Sequence, residues 1–133
     1  MLIARLSLTP PQNSLNNWNM SLKRHRVGSL EIISLPERLD ASTTASIRDE
    51  LRKIVNAGSL WLLLDVSAVE FIDSSGISVF ISVLKHVRLR DGDVALFGVR
   101  PQIRALLELT RVHRVLEVYD DEATATQMFG RTD

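Results

Sequence analysis

The sequence predicts a single α/β domain on a mixed sheet, with an N-terminal hairpin followed by βα repeats. Three observations lead there. Apolar runs of strand length, such as Leu60-Trp61-Leu62-Leu63-Leu64, alternate with amphipathic stretches of helical length. That alternation gives a largely parallel sheet with right-handed crossovers. The first two strand-like runs are separated only by Gly28-Ser29, so they pair antiparallel and make the sheet mixed. A chain of 133 residues holds one core of this kind, and two would be a squeeze.

Residues 1–19 read as an arm or linker. Pro10-Pro11 followed by Gln, Asn and Ser continues neither a helix nor a central strand. Leu2, Ile3, Leu6 and Leu8 in this arm are able to cover apolar surface or a sheet edge. The domain proper is expected over 20–129, with 130–133 as a tail. Its hairpin runs from Leu22 to Val27 and from Leu30 to Leu35. Pro36 to Ala41 is a loop, and Ser42 or Thr43 caps the first helix. Ile47, Leu51, Ile54 and Val55 give that helix one apolar stripe, and Asn56-Ala57-Gly58 ends it. Leu60 to Val66 is apolar enough for a strand covered on both faces. The second helix runs from Ser75 to about Arg90, closed by Asp91-Gly92-Asp93, and Val94 to Phe97 is the next strand. Pro101 suits the first turn of a third helix ending near Leu109. Val115 to Val118 is the last strand, and Asp121 caps a final helix through Met128, stopped by Gly130.

Composition excludes several functions. With 45% hydrophobic and 24% charged residues the chain is an ordinary globular one. Its 16 basic and 16 acidic residues balance, which gives no electrostatic case for nucleic acid or a membrane surface. The absence of cysteine removes disulfides, thiolate catalysis and cysteine-bound metals. No apolar stretch approaches the roughly 20 residues that span a bilayer. Met1 to Leu6 lacks the apolar core and cleavage site of a signal peptide, so a cytoplasmic protein is expected.

The most informative segment is Val69-Glu70-Phe71-Ile72-Asp73-Ser74-Ser75-Gly76, which places two hydroxyls and a carboxylate where a strand hands over to a helix. A helix start has unpaired N–H groups and a dipole that favours negative charge. A serine there can cap the helix, act as a nucleophile or accept a phosphate. The nucleophile reading is weak: a hydrolase elbow has a glycine two residues before its serine, and Ile72 and Asp73 stand there before Ser74 and Ser75. Of the candidate bases His25, His86 and His113, neither His25 beside Lys23, Arg24 and Arg26 nor His113 between Arg111 and Arg114 has the look of a pocket that orients an imidazole. Their spacing matches no zinc site, and neither phosphate-loop pattern occurs. No metal or cofactor is expected.

Two further features have two readings each. Arg88, Arg90, Arg100, Arg104, Arg111 and Arg114 form either a solvated face or a dock for an acidic partner surface. In the second helix, Ile77, Phe80, Ile81, Leu84 and Val87 share a core-facing arc. Val79, Val83 and His86 fall largely on the other side, near Ser75, Ser78 and Ser82. Either another helix covers Val79, or it belongs to an apolar recognition face that begins at the serine pair.

The run from Leu63 to Gly76, Leu-Leu-Asp-Val-Ser-Ala-Val-Glu-Phe-Ile-Asp-Ser-Ser-Gly, resembles the signature of STAS domains, specifically of bacterial anti-sigma factor antagonists (anti-anti-sigma factors). The resemblance continues through Val94 to Pro101, the helix to Thr110 and Val115 to Ala123, covering about 22–128. It implies a STAS-like fold and a non-enzymatic switch. In that family the serine after the aspartate is phosphorylated by a kinase that is also the anti-sigma factor, which makes Ser74 the phosphosite. Asp73, Ser75 and Gly76 are its motif neighbours, and Ser78, Val79 and Val83 complete the implied partner face. A second family element, Gly-acid-apolar-Asp, resembles Pro36-Glu37-Arg38-Leu39-Asp40, with proline in place of glycine and Asp40 matched as a partner contact. Arg111 stands where the family often has glycine. The implied function is to bind the anti-sigma serine kinase when unphosphorylated, freeing a sigma factor, and to let go once phosphorylated, with a phosphatase as a further partner. The alternatives are a STAS scaffold in another signalling complex and, further off, a serine hydrolase.

Overall fold

The computed structural model describes residues 22–130, so the arm reading for 1–19 and most of the tail lie outside the described residues. Two strands, β1 (Arg24–Val27) and β2 (Leu30–Ser34), form the expected antiparallel hairpin around Gly28, whose φ of 62° a glycine adopts without strain. A two-residue strand β3 (Arg38–Leu39) leads into α1 (Thr44–Asn56). Next come β4 (Trp61–Asp65), the short β5 (Phe71–Ile72) and α2 (Ser74–Arg88). The chain closes with β6 (Asp93–Phe97), α3 (Pro101–Leu109), a 3-10 turn (Val112–Arg114), β7 (Glu117–Tyr119) and α4 (Glu122–Met128).

The main sheet has the order β1-β2-β4-β6-β7, antiparallel in the hairpin and parallel elsewhere. Strand alternation sends Ile33, Leu62, Leu64, Val94 and Leu96 to one face, where α1, α2 and α3 cover them. Ile32, Leu63, Ala95 and Phe97 go to the other face, beneath Ala125 and Phe129 at the α4 end. Both faces of β4 are therefore buried, which is why its sequence reads as a continuous apolar run. The mixed sheet and βα order match the expectation.

Three local differences have physical causes. The Pro36–Ala41 segment is not all loop: Arg38 and Leu39 pair in parallel with Phe71 and Ile72. The expected last strand begins two residues later, because Val112–Arg114 forms a 3-10 turn and Leu116 is buried before pairing starts. Arg111 makes that turn possible with φ 65°, the left-handed region that glycine enters freely and other residues enter at a cost. The glycine that the resemblance implies at this position would enter that region without strain.

The third difference concerns α2. Val79 and Val83 are 1% and 5% exposed and pack in the core that α1 shares. Of the two readings, the one in which another helix covers them is observed. Val79 and Val83 are thus corrected from partner-facing residues to core residues. The buried arc is Gly76, Val79, Phe80, Val83, Leu84 and Val87, while Ile77 and Ile81 are only half-buried. A helix wedged between a sheet and a neighbouring helix buries a wider, rotated arc than sequence periodicity alone indicates.

Candidate functional site

Asp73 is the last residue before α2, in extended conformation, and its carboxylate caps the helix. Oδ1 accepts the Ser75 N–H at 2.9 Å, the Gly76 N–H at 3.2 Å and the Ser75 hydroxyl at 2.5 Å. The hydroxyl, followed by the Gly76, Ser75 and Ala41 amides, holds the Asp73 carboxyl below the usual carboxylate range. It is ionised at neutral pH. The sequence admits a serine as the cap of this helix; the capping group is Asp73, a residue type strongly preferred at that position.

Gly76 has a different job. A Cβ there would lie 2.5 Å from the Leu39 carbonyl oxygen and 2.5 Å from Cγ1 of Ile72. Only a bare Cα lets α2 approach the β3–β5 pair this closely. The same pair is tied down by the Asp73 N–H, which donates to the Leu39 carbonyl at 3.1 Å. This places the two implied motifs, 36–40 and 73–76, side by side.

Asp40 has the same local design. Its Oδ1 accepts the Ser42 N–H at 3.0 Å and the Ser42 hydroxyl at 2.6 Å, while Oδ2 accepts Arg38 Nε at 3.0 Å. These bonds, the Ser42 hydroxyl first, lower its pKa as well. Thr43 occupies the N-cap position of α1 without capping through its side chain. Its hydroxyl instead accepts the Asp40 N–H at 3.1 Å and donates to the Arg38 carbonyl at 2.9 Å.

Asp65 and Ser67 repeat the pattern a third time, with N–H and hydroxyl bonds of 2.9 and 2.7 Å. In all three Asp-x-Ser turns the third residue's hydroxyl is held by the aspartate. The middle residue is Ala41, Val66 and Ser74 respectively. Ser74 is thus the one serine of these turns whose hydroxyl is not bound by the turn. It is exposed at the first position of α2 and forms no side-chain hydrogen bond among the described residues.

Ser78, one turn further, is exposed and accepts from Arg48 Nη2 of α1 at 3.3 Å. The sequence reading missed Arg48 because a contact between two helices leaves no mark in either one's periodicity. It also missed Arg38 and Phe71: the guanidinium lies 4.5 Å from the ring centroid, and Phe71 is 42% exposed. The alternation of charge and aromatic across a two-residue strand pair is too short to stand out. Together Asp40, Arg38, Phe71, Asp73, Ser74 and Ser78 form a polar surface around one exposed aromatic ring, at the carboxyl end of the parallel strands, where α/β folds place their sites.

His86 lines a small hollow between α1 and α2 with Arg48 and Ser82, whereas the other two histidines make their contacts elsewhere. His25 Nε2 lies 3.0 Å from Glu122, and His113 Nδ1 lies 3.3 Å from the Leu107 carbonyl. Neither hydrogen-bonds a serine of the motif. Among the described residues no cluster of three metal-binding side chains occurs, and no helix is long and apolar enough to cross a membrane.

Comparison with known proteins gives a consistent answer. A curated anti-sigma F factor antagonist of Paenibacillus polymyxa is 24% identical over 110 residues, which cover 82% of this chain and 92% of the relative. An anti-sigma-B factor antagonist of Listeria monocytogenes is 26% identical over 106 residues, covering 80% and 92%. The solved structure of the anti-sigma factor antagonist SpoIIAA in its unphosphorylated form superimposes with a TM-score of 0.69 at 16% identity, over 85% of this chain and all of that one. The Bacillus protein in its phosphorylated form gives 0.63 at 16% identity over 80% and 98%. The STAS domain model matches residues 22–125, essentially the whole of the sheet, its three packed helices and the Asp73 turn; the chain belongs to the STAS domain family.

Proposed function

We propose that this protein is an anti-sigma factor antagonist switched by phosphorylation of Ser74. The names of its curated relatives support the role, and a relative of the same fold exists in phosphorylated and unphosphorylated forms. The observation that carries the choice of residue is the division of labour within the turn. The Ser75 hydroxyl is engaged by Asp73 at 2.5 Å, whereas the Ser74 hydroxyl is exposed and unbonded. A kinase needs a hydroxyl it can reach and orient.

The same turn explains why a phosphate there would act outward. Helix N-termini usually absorb anions through free N–H groups. Here the Ser75 and Gly76 amides already serve Asp73, whose carboxylate is ionised. A phosphate adds about −1.5 to −2 charge at neutral pH beside it. That charge would face a bound partner with repulsion and a desolvation cost, leaving the fold intact. A loss of ~1.4 kcal/mol already weakens binding tenfold, so a large rearrangement is unnecessary.

In this reading the unphosphorylated protein binds an anti-sigma serine kinase through the surface around Ser74, Ser78, Asp40 and Phe71, in the cytoplasm, and frees a sigma factor. Phosphorylation releases the kinase, and a phosphatase resets the switch. The protein itself catalyses nothing. Calorimetric titration of the cognate kinase tests this. Wild type should bind, and Ser74→Asp should bind at least tenfold more weakly. Equal affinities would remove the electrostatic switch.

A further inference from the structure

The far end of α2 carries a second surface. Leu89 is 85% exposed and, with Ile81, Leu84 and Val115, lines an open apolar depression of about 550 Å3, rimmed by Lys85 and Arg88. Arg88 and Val115 also line a cleft of about 690 Å3 that follows β7. The two hollows therefore form one continuous surface.

β7 is hydrogen-bonded only to β6, so its outer edge is open among the described residues. The Tyr119 carbonyl turns toward β6, accepting the Gly98 N–H at 3.3 Å. Strand alternation then turns the N–H and C=O of Val118 outward. Such an edge is a template for another strand. Arg88, Arg104 and Arg114 stand along the cleft. Arg88 is answered by Asp93 at 3.2 Å and Arg104, at 3.9 Å, by the 94% exposed Asp120. Glu117 accepts the Tyr119 hydroxyl at 2.6 Å. Arg114 has no acidic partner among the described residues.

We propose that this surface docks an acidic, extended segment of a partner protein. The segment adds as a strand to β7, sets carboxylates against Arg104 and Arg114, and places an apolar side chain among Ile81, Leu89 and Val115. Charge and position disfavour the other occupants. Residues 1–21 carry Arg5 as their only charge and join the described chain at Leu22, beside β1 at the opposite edge of the sheet. A second copy docked edge to edge would bring the same arginines together. The surface lies beyond the Ser74 switch: the 15 residues of α2 span roughly 22 Å at 1.5 Å per residue.

Fluorescence anisotropy of the full chain titrated onto a labelled peptide of four Glu-Val repeats tests the proposal. The expected result is saturable binding that a Lys-Val peptide of equal length does not show. Binding should weaken at least tenfold for Arg104→Glu/Arg114→Glu, for Arg104→Gln/Arg114→Gln, and for a Glu-Val peptide N-methylated at alternate amides. Thermal melts matching wild type exclude misfolding of these exposed-site variants. Ser74→Asp should leave the affinity unchanged, which separates this surface from the phosphate switch. No binding of the Glu-Val peptide, as when the arm or a second copy already covers the edge, would overturn the proposal. So would equal binding of the Lys-Val peptide, or indifference to the arginine variants.

Discussion

The two ends of α2 are built on opposite plans. At its start, Asp73 uses the Ser75 and Gly76 amides, Gly76 admits the Leu39 backbone, and one hydroxyl is left over at Ser74. At its end, Leu89 points into solvent beside unburied cations and an open strand edge. The first end is tightly specified, so an added charge there has one direction in which to act. The second is loosely specified, and its side chains can change without disturbing the core. Substitutions at the start should therefore cost stability, and those at the end should cost little.

Gly76→Ala should have the largest effect. A methyl group 2.5 Å from a backbone oxygen forces α2 away from β3, costing about 2–3 kcal/mol by the usual penalty for overpacking. Urea unfolding would measure it, and a loss near zero would mean that α2 is less closely seated than the structure has it.

Asp73→Ala should come next, lowering Tm by several degrees through loss of the cap. The pH dependence sharpens this test. Because the folded-state pKa of Asp73 is depressed, its contribution is complete above the ordinary carboxylate value and disappears as pH falls through the lower folded value. The Tm gap between wild type and Asp73→Ala should thus be wide at neutral pH and close in acid. A gap that does not vary with pH would show that the carboxylate charge is not what caps the helix.

Arg111→Gly should act in the other direction. Relieving a left-handed backbone at φ 65° is expected to stabilise the chain by about 0.5–1 kcal/mol, after allowing for the entropy of an added glycine. A higher urea midpoint with an unchanged slope would show it. Leu89→Lys should be the mildest, within about ±0.5 kcal/mol, as for exposed positions generally. A larger loss would mean that the second end is not the free surface described above.

The sequence carried most of the fold because its signals are local and repeated. The apolar run of β4, the Pro101 start of α3 and the Asp121 cap of α4 each satisfy a strong rule, and Asp121 does accept the Thr124 N–H at 2.8 Å. The β3–β5 pair was illegible because two residues carry no periodicity. The rotation of the α2 arc was hidden for another reason: Val79 and Val83 are apolar whether they meet α1 or a partner, and only tertiary packing decides. At the site, the resemblance brought Asp40 and Asp73 to Gly76 to attention. It did not convey that Asp73 is the cap, that Ser75 is occupied, or that Arg48 reaches Ser78. Those facts depend on hydrogen-bond geometry, which residue types permit but do not dictate.

The central claim is that Ser74, and not its neighbour Ser75, receives the phosphate. Incubation of the wild-type chain with its cognate kinase and ATP, followed by mass-spectrometric site mapping, tests it most directly. A single phosphate on Ser74, absent from Ser74→Ala and retained in Ser75→Ala, is the predicted result. Phosphate on Ser75, or undiminished labelling of Ser74→Ala, would contradict it.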